Sequence, residues 1–107
     1  MAKIGDVVGA IHQVLMPGNA DFVWCLRESE ITKIVETKNG RRCYTKKNFN
    51  PLDEEDLDGN TRIQEQIVAS NHIMTSEVFI LNETTRPVAE QWVIRSNKQA
   101  QKGREDV

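Results

Sequence analysis

The 107-residue sequence lacks a large excess of charge of either sign, long apolar runs and enough cysteines for a disulfide framework. With 14 basic and 16 acidic side chains, the formal net charge of −2 creates no overall positive field toward nucleic acid or an anionic membrane. No apolar run approaches the roughly 18 residues of a membrane span, and the amino terminus lacks the basic-then-apolar order of a secretory signal. We therefore expect a cytoplasmic protein that binds no membrane and keeps its two cysteines as free thiols.

The apolar residues that are present predict a folded, strand-rich chain. Ile, Leu, Val and Phe make up about a quarter of the sequence, more than the roughly one-fifth that marks disordered chains. Nine isoleucines and ten valines stand against five leucines, and β-branched side chains favour strands. Because a chain of this length buries one core but seldom two, we predict a single domain over residues 1–95. Residues 96–107, which are mostly charged or amide-bearing, predict a disordered polar tail.

Three segments are predicted as strands from their apolar pattern. Residues 3–12 predict a first strand, which a turn at Pro17-Gly18-Asn19 follows. Residues 21–26 are apolar on both faces, which is typical of a central strand and places Trp24 in the core. Residues 77–81 predict a last strand.

A β-hairpin is predicted between residues 31–37 and 41–45, around the Asn39-Gly40 dipeptide that favours a two-residue turn. In that register Lys38 lies opposite Arg41. A bulge or a longer loop would shift the register by one residue and exchange the two faces of the hairpin. Without such a shift, one face carries Lys33, Val35, Arg42, Tyr44 and Lys46, and the other carries Ile34 and Cys43.

Helical patterns occur after residue 60. Pro87 fits only the first turn of a helix, and the residues beyond it form an apolar stripe at helical spacing. This pattern predicts a short C-terminal helix that packs through Trp92. Residues 61–70 have a spacing that suits a helix but also allows a strand.

Several short motifs follow one another along the chain. They are Gly5-Asp6-x-Val8, a strand with Ile31 and Ile34, the Asn-Gly hairpin to Tyr44, Val78-Phe79-Ile80-Leu81-Asn82-Glu83, and a helix with Ala89-Glu90. This order resembles the small SH3-like barrel proteins of uncharacterised function from phages and their bacterial hosts, a family that implies no catalytic residues. Two segments depart from that family's pattern, namely residues 53–58 and 84–87. We therefore predict a mainly β fold with a short C-terminal helix (α+β), either a small SH3-like barrel or a strongly bent antiparallel sheet of about five strands.

An acidic segment within residues 48–60 predicts a polar loop. Glu54-x-Asp56-x-Asp58-Gly59-x5-Glu65 follows the EF-hand calcium loop at every position but the first, where Glu replaces Asp. Asn50-Pro51 breaks any helix that would enter such a loop, which favours a solvated loop without metal. Its carboxylates repel one another, and a cationic partner would relieve that repulsion. The predicted partner-binding residues are Asp53, Glu54, Glu55, Asp56 and Asp58.

A basic cluster surrounds Tyr44 in the predicted hairpin. Cations beside an exposed aromatic ring are typical of single-stranded nucleic-acid sites. The same side chains on an exposed strand edge also serve simply to prevent pairing with other chains. The possible nucleic-acid-binding residues are Lys33, Lys38, Arg41, Arg42, Tyr44, Lys46 and Lys47.

Catalytic and metal sites are not indicated. The two cysteines, His12 and His72 lack the close pairwise spacing of zinc sites, and nucleophile, phosphate-loop and dinucleotide motifs do not occur. We therefore predict no catalytic residue, no metal and no cofactor. The predicted function is a non-enzymatic protein-interaction module, a phage or mobile-element factor that binds and modulates a host protein such as a defence component. The alternative is weak single-stranded nucleic-acid binding by the hairpin 33–47.

Overall fold

The computed structural model describes residues 1–15, 22–47, 49–67 and 77–105. Within these ranges, five strands form one antiparallel sheet in the order β4-β3-β2-β1-β5. The prediction of a five-stranded antiparallel sheet in an α+β protein is confirmed. The sheet is open, with β4 and β5 at its two edges, so it is not the closed barrel that the sequence also allowed. Along the chain the elements are β1 (Val7–Leu15), β2 (Phe22–Thr37), β3 (Gly40–Thr45), β4 (Leu52–Asp53), α1 (Glu54–Ile67), β5 (Phe79–Leu81) and α2 (Thr85–Glu105).

β2 is a 16-residue strand that unites the two strands predicted at 21–26 and 31–37. Its first part pairs with β1, from Glu30 opposite Val7 to Phe22 opposite Leu15, and its second part pairs with β3. An irregularity between Ile31 and Lys33 separates the two parts. β1 begins later than predicted because the chain before it turns at residues 4–5, and it ends later, at Leu15. The turn predicted at residues 17–19 lies outside the described residues. The long strand therefore connects two halves of the sheet.

The hairpin between β2 and β3 forms, but its register differs from the prediction. Thr37 lies opposite Gly40 and Lys33 lies opposite Tyr44, so the turn residues are Lys38 and Asn39. Gly40 has a φ of 126°, a conformation that a residue with a side chain rarely adopts. Because a strand repeats every two residues and the pairing moves by two, the predicted faces are kept.

Two apolar clusters form, because alternate residues of a strand point to opposite faces of the sheet. Leu57 of α1 belongs to one cluster and Ala89 of α2 to the other, so a helix packs on each of them. The first cluster contains Ala2, Val8, Ile31, Cys43 and Leu57, and the second contains Ile11, Phe79, Leu81 and Ala89.

α2 confirms the predicted C-terminal helix. Asn82 Oδ1 accepts hydrogen bonds from the backbone N–H groups of Thr84 and Thr85, both at 2.9 Å, and so caps the helix start. Pro87 lies in the first turn, as predicted. The Trp92 ring packs edge-on against Trp24 with centroids 4.9 Å apart. Trp24 is half-buried beside the core rather than inside it.

The predicted disordered tail over residues 96–107 differs from the structure, in which α2 continues to Glu105. The Asn97 side chain accepts a hydrogen bond from Trp24 N at 2.9 Å and donates one to Trp24 O at 3.0 Å. These bonds tie the second half of α2 to the outer edge of β2. Residues 106–107 lie outside the described part of the chain.

The acidic segment is not the predicted loop. Leu52 and Asp53 form β4, and α1 begins directly at Glu54. Three acidic residues in the first turn favour the helix, because their negative charges are attracted to the positive end of the helix dipole. Of the helix-or-strand segment 61–70, residues 61–67 are helical, and 68–70 lie outside the described residues.

Candidate functional site

The acidic segment and the basic hairpin, which the sequence presents as two separate candidate sites, lie against each other. β4 pairs with β3, which places Asp53 opposite Arg42 and Leu52 opposite Cys43. α1 begins at the next residue, Glu54, so its first turn lies beside the hairpin. The fold thus brings the predicted carboxylates and three of the predicted cations, Lys38, Arg41 and Arg42, to two sides of one polar cleft.

Two ion pairs join the hairpin to the acidic segment. Arg41 Nη1 lies 3.1 Å from Glu54 Oε2, and their side chains are only 26% and 11% exposed. Glu54 Oε2 is buried without an aligned hydrogen bond, so charge attraction dominates this contact. Arg41 also donates from Nη2 to the backbone oxygen of Ala2 at 3.3 Å. The second pair joins Arg42 Nε to Asp53 Oδ1 at 3.6 Å and is about half exposed, so solvent screens it.

Cys43 belongs to the core and lies close enough to Arg41 and Glu54 to respond to their charges. Its side chain is fully buried, and burial raises the pKa of its thiol above the ordinary value. The negative charge of Glu54 raises the same pKa further. The thiol therefore stays protonated near neutral pH, the form that is neither nucleophile nor metal ligand.

The predicted basic face of the hairpin is present and exposed. Lys33, Arg42 and Tyr44 share it, and Lys33 Nζ lies 5.8 Å from the centre of the Tyr44 ring. Lys46 Nζ is paired with Glu30 Oε2 at 2.7 Å. A phosphate that bound here would have to compete with carboxylates for both Arg42 and Lys46.

The polar cleft between the hairpin turn and α1 has a volume of about 680 Å³. Its α1 wall carries Glu55, Asp56 and Asp58, which we call the acidic turn; none of the three forms an ion pair with any described residue. Opposite them the cleft is lined by Lys38, and Arg62 donates from Nε to the backbone oxygen of Asp58 at 3.4 Å. Arg62 belongs to the same wall and has no carboxylate partner among the described residues, so the wall carries three unpaired carboxylates against one guanidinium and is negative on balance.

A smaller hollow of about 270 Å³, which we call the groove, lies between β4, α1 and the residues before β5. Asn60 Nδ2 donates to Glu77 Oε2 at 3.1 Å and to Val78 O at 2.9 Å across its end. Sequence reasoning missed these residues because Asn60 and Glu77 are 17 positions apart and no periodic pattern connects them. The groove is lined by Pro51, Leu52, Asp53, Asp56, Leu57, Asn60, Glu77 and Val78.

No protein-family model, curated protein or solved structure matches this chain. Within the described residues, no helix is long and apolar enough to cross a membrane.

The candidate metal ligands of the sequence lie in different parts of the fold. The EF-hand-like pattern Glu54–Glu65 lies entirely within α1, so a calcium loop does not form there. Cys43 belongs to the core, whereas Cys25 lies opposite His12 in the β1–β2 register. His72 lies outside the described residues. In the ranges that the structure covers, no three His, Cys, Asp or Glu side chains are grouped to hold a metal ion.

Proposed function

We propose that this chain is a non-enzymatic protein-interaction module that binds a cationic segment of another protein through the acidic turn. The observation that carries the proposal is that some carboxylates of the acidic segment are paired with arginines and the others are not. Asp53 and Glu54 are occupied by the hairpin arginines, whereas the acidic turn has no ion pair among the described residues. A cationic partner therefore meets three carboxylates on the open wall of the polar cleft.

The acidic turn acts on binding mainly through long-range attraction. Its carboxylates lie within one helical turn and repel one another, and a cationic surface relieves that repulsion. Exposed charges contribute little to residence time, but they raise the association rate and make it sensitive to salt. Leu57 is 1% exposed and does not contact a partner directly. Phe49 is half-buried, with the Arg27 guanidinium 4.9 Å from its ring centre, and offers a partial apolar anchor.

The resemblance to SH3-like phage proteins supports a narrower form of the proposal. The partner would be a host protein, such as a defence component, which the module binds and modulates in the cytoplasm. The proposed interaction needs no catalytic residue and no cofactor.

Capture of partners from a bacterial lysate tests the proposal. Tagged wild-type protein is compared with Glu55→Gln/Asp58→Asn, and Glu36→Gln/Glu83→Gln removes the same charge elsewhere as a control. We expect a protein that the wild type and the control retain and the acidic-turn variant loses, with the largest difference at low salt. Equal retention by all three proteins would contradict the proposal.

A second candidate function is weak binding of single-stranded nucleic acid by the exposed hairpin face. The placement of Lys33, Arg42 and Tyr44 on one face supports it. The ion pairs of Arg42 and Lys46 weigh against it, because both cations already have a carboxylate partner. We rank it below protein binding for that reason.

A further inference from the structure

The groove offers hydrocarbon surface at the edge of the sheet. Leu52 and Val78 are half-buried in its lining, and Leu57 is buried beneath them. Its volume of about 270 Å³ lies below the roughly 300–1,000 Å³ of pockets that enclose small-molecule ligands. The groove therefore suits one side chain of a larger partner better than a free cofactor.

Carboxylates surround this hydrocarbon surface. Asp56 and Glu77 have no ion pair with any residue in the described ranges, and Asp53 has only its exposed contact with Arg42 at 3.6 Å. The Asn60 amide holds Glu77 in place at 3.1 Å. No cationic side chain lines the groove within the described chain, so its rim carries uncompensated negative charge.

We infer that the groove receives one lysine or arginine side chain from an extended segment of the partner protein. The aliphatic stem would lie on Leu52 and Val78 while the charged end reaches Asp56 and Glu77, because long basic side chains cover apolar surface and keep their charge at its rim. Charge-assisted hydrogen bonds to a carboxylate are the stronger kind of hydrogen bond. This inference rests on the proposed function and specifies the segment that the module recognises.

An adjoining hollow determines what may flank that basic side chain. It shares Leu52 and Val78 with the groove and is otherwise lined by Phe49, Asn50 and Arg27. Arg27 covers the Phe49 ring and repels a second cation. The preferred segment is therefore a single basic residue with apolar neighbours, and not a run of basic residues.

Short peptides test this preference against the isotope-labelled full chain by NMR titration. The probes are acetylated, amidated Ser-Leu-Lys-Leu-Ser, its arginine and glutamine analogues, and pentalysine. We expect the lysine and arginine peptides to shift the amide signals of Leu52, Glu77 and Val78, which line the groove and do not belong to the acidic turn. The glutamine analogue should bind roughly tenfold more weakly, since it lacks the charge-assisted bonds. Pentalysine should leave these signals in place.

Two variants separate the groove from the acidic turn. Glu77→Gln removes the groove carboxylate that the acidic turn does not share, keeps the shape of the groove and should weaken binding of the lysine peptide, whereas Glu55→Gln/Asp58→Asn should keep it; unchanged signals away from the groove show that each variant folds. If pentalysine shifts the groove signals as strongly as the lysine peptide does, or if both variants lose the lysine peptide equally, the inference is overturned. The acidic turn would then be the binding element. Absence of any shift would also overturn the inference, while lysate capture by the acidic turn still decides the proposed function separately.

Discussion

At the scale of single residues, Gly9 and Gly59 differ in the space available for a side chain. A Cβ added to Gly9 would lie 2.6 Å from Leu81 Cδ1 in the core, whereas one added to Gly59 in α1 meets nothing within 4 Å. We expect Gly9→Ala to destabilise the protein by about 1–3 kcal/mol through overpacking. Gly59→Ala should stabilise it by about 0.5–1 kcal/mol, because alanine favours a helix interior. Urea unfolding measures both changes, and a Gly9→Ala variant as stable as the wild type would contradict the packing of β5 on β1.

The Cys43 thiol should be unreactive while the protein is folded. In a Cys25→Ser background, we expect a thiol reagent to modify Cys43 only after denaturation, because the side chain is buried. Since the pKa of this thiol is raised in the folded state, stability is unaffected below the ordinary thiol pKa of about 8.5 and falls as the pH rises past it. Urea unfolding across that range measures the fall, and Cys43→Ala should remove this contribution. Rapid modification of the folded protein at neutral pH would contradict the assignment.

At the scale of elements, the contact between β3 and α1 depends on Arg41 and Glu54. A double-mutant cycle with Arg41→Gln and Glu54→Gln should give a coupling energy of about 1 kcal/mol or more, because the pair is largely buried. The matched cycle with Arg42→Gln and Asp53→Asn should give less than about 0.5 kcal/mol, because that pair is exposed. Equal coupling energies from urea unfolding would contradict the difference in burial.

Elements that depend on residues close together in the sequence could be predicted from it, whereas elements that depend on contacts between residues far apart in the sequence could not. The faces of the β2–β3 hairpin and the position of Pro87 in the first turn of α2 depend on neighbours in sequence, and both were predicted. The acidic segment was predicted as a loop because its helix depends on burial of Leu57 against strands that are distant in sequence. The helical continuation past residue 96 was missed because Asn97 binds Trp24, which is 73 positions away.

At the scale of the whole molecule, both candidate charge clusters were found from the sequence but their mutual contact was not. The order β4-β3-β2 places Asp53 beside Arg42, and only the assembled sheet reveals that pairing. Cations and carboxylates that seem free in the sequence thus neutralise each other in the fold. The groove was also invisible, because it is built by three separate segments of the chain.

This neutralisation predicts weak binding of nucleic acid. Fluorescence anisotropy with labelled single-stranded DNA and RNA at about 150 mM salt should give dissociation constants no tighter than roughly 10⁻⁶ M, the range of non-specific binding. Arg42→Glu should weaken this non-specific binding further, because it places a second carboxylate opposite Asp53 on the same face. Nanomolar binding that Arg42→Glu abolishes would promote the hairpin face over the acidic turn.

The central claim, that the acidic turn steers a cationic partner onto the module, is tested most directly by association kinetics with the captured protein. The association rates of wild type, Glu55→Gln/Asp58→Asn and the control Glu36→Gln/Glu83→Gln are compared on an immobilised partner at low and high salt. We predict a slower association for the acidic-turn variant at low salt, by roughly tenfold, with the three rates converging at high salt and dissociation almost unchanged. An association rate for the acidic-turn variant equal to that of the wild type at low salt would contradict the claim.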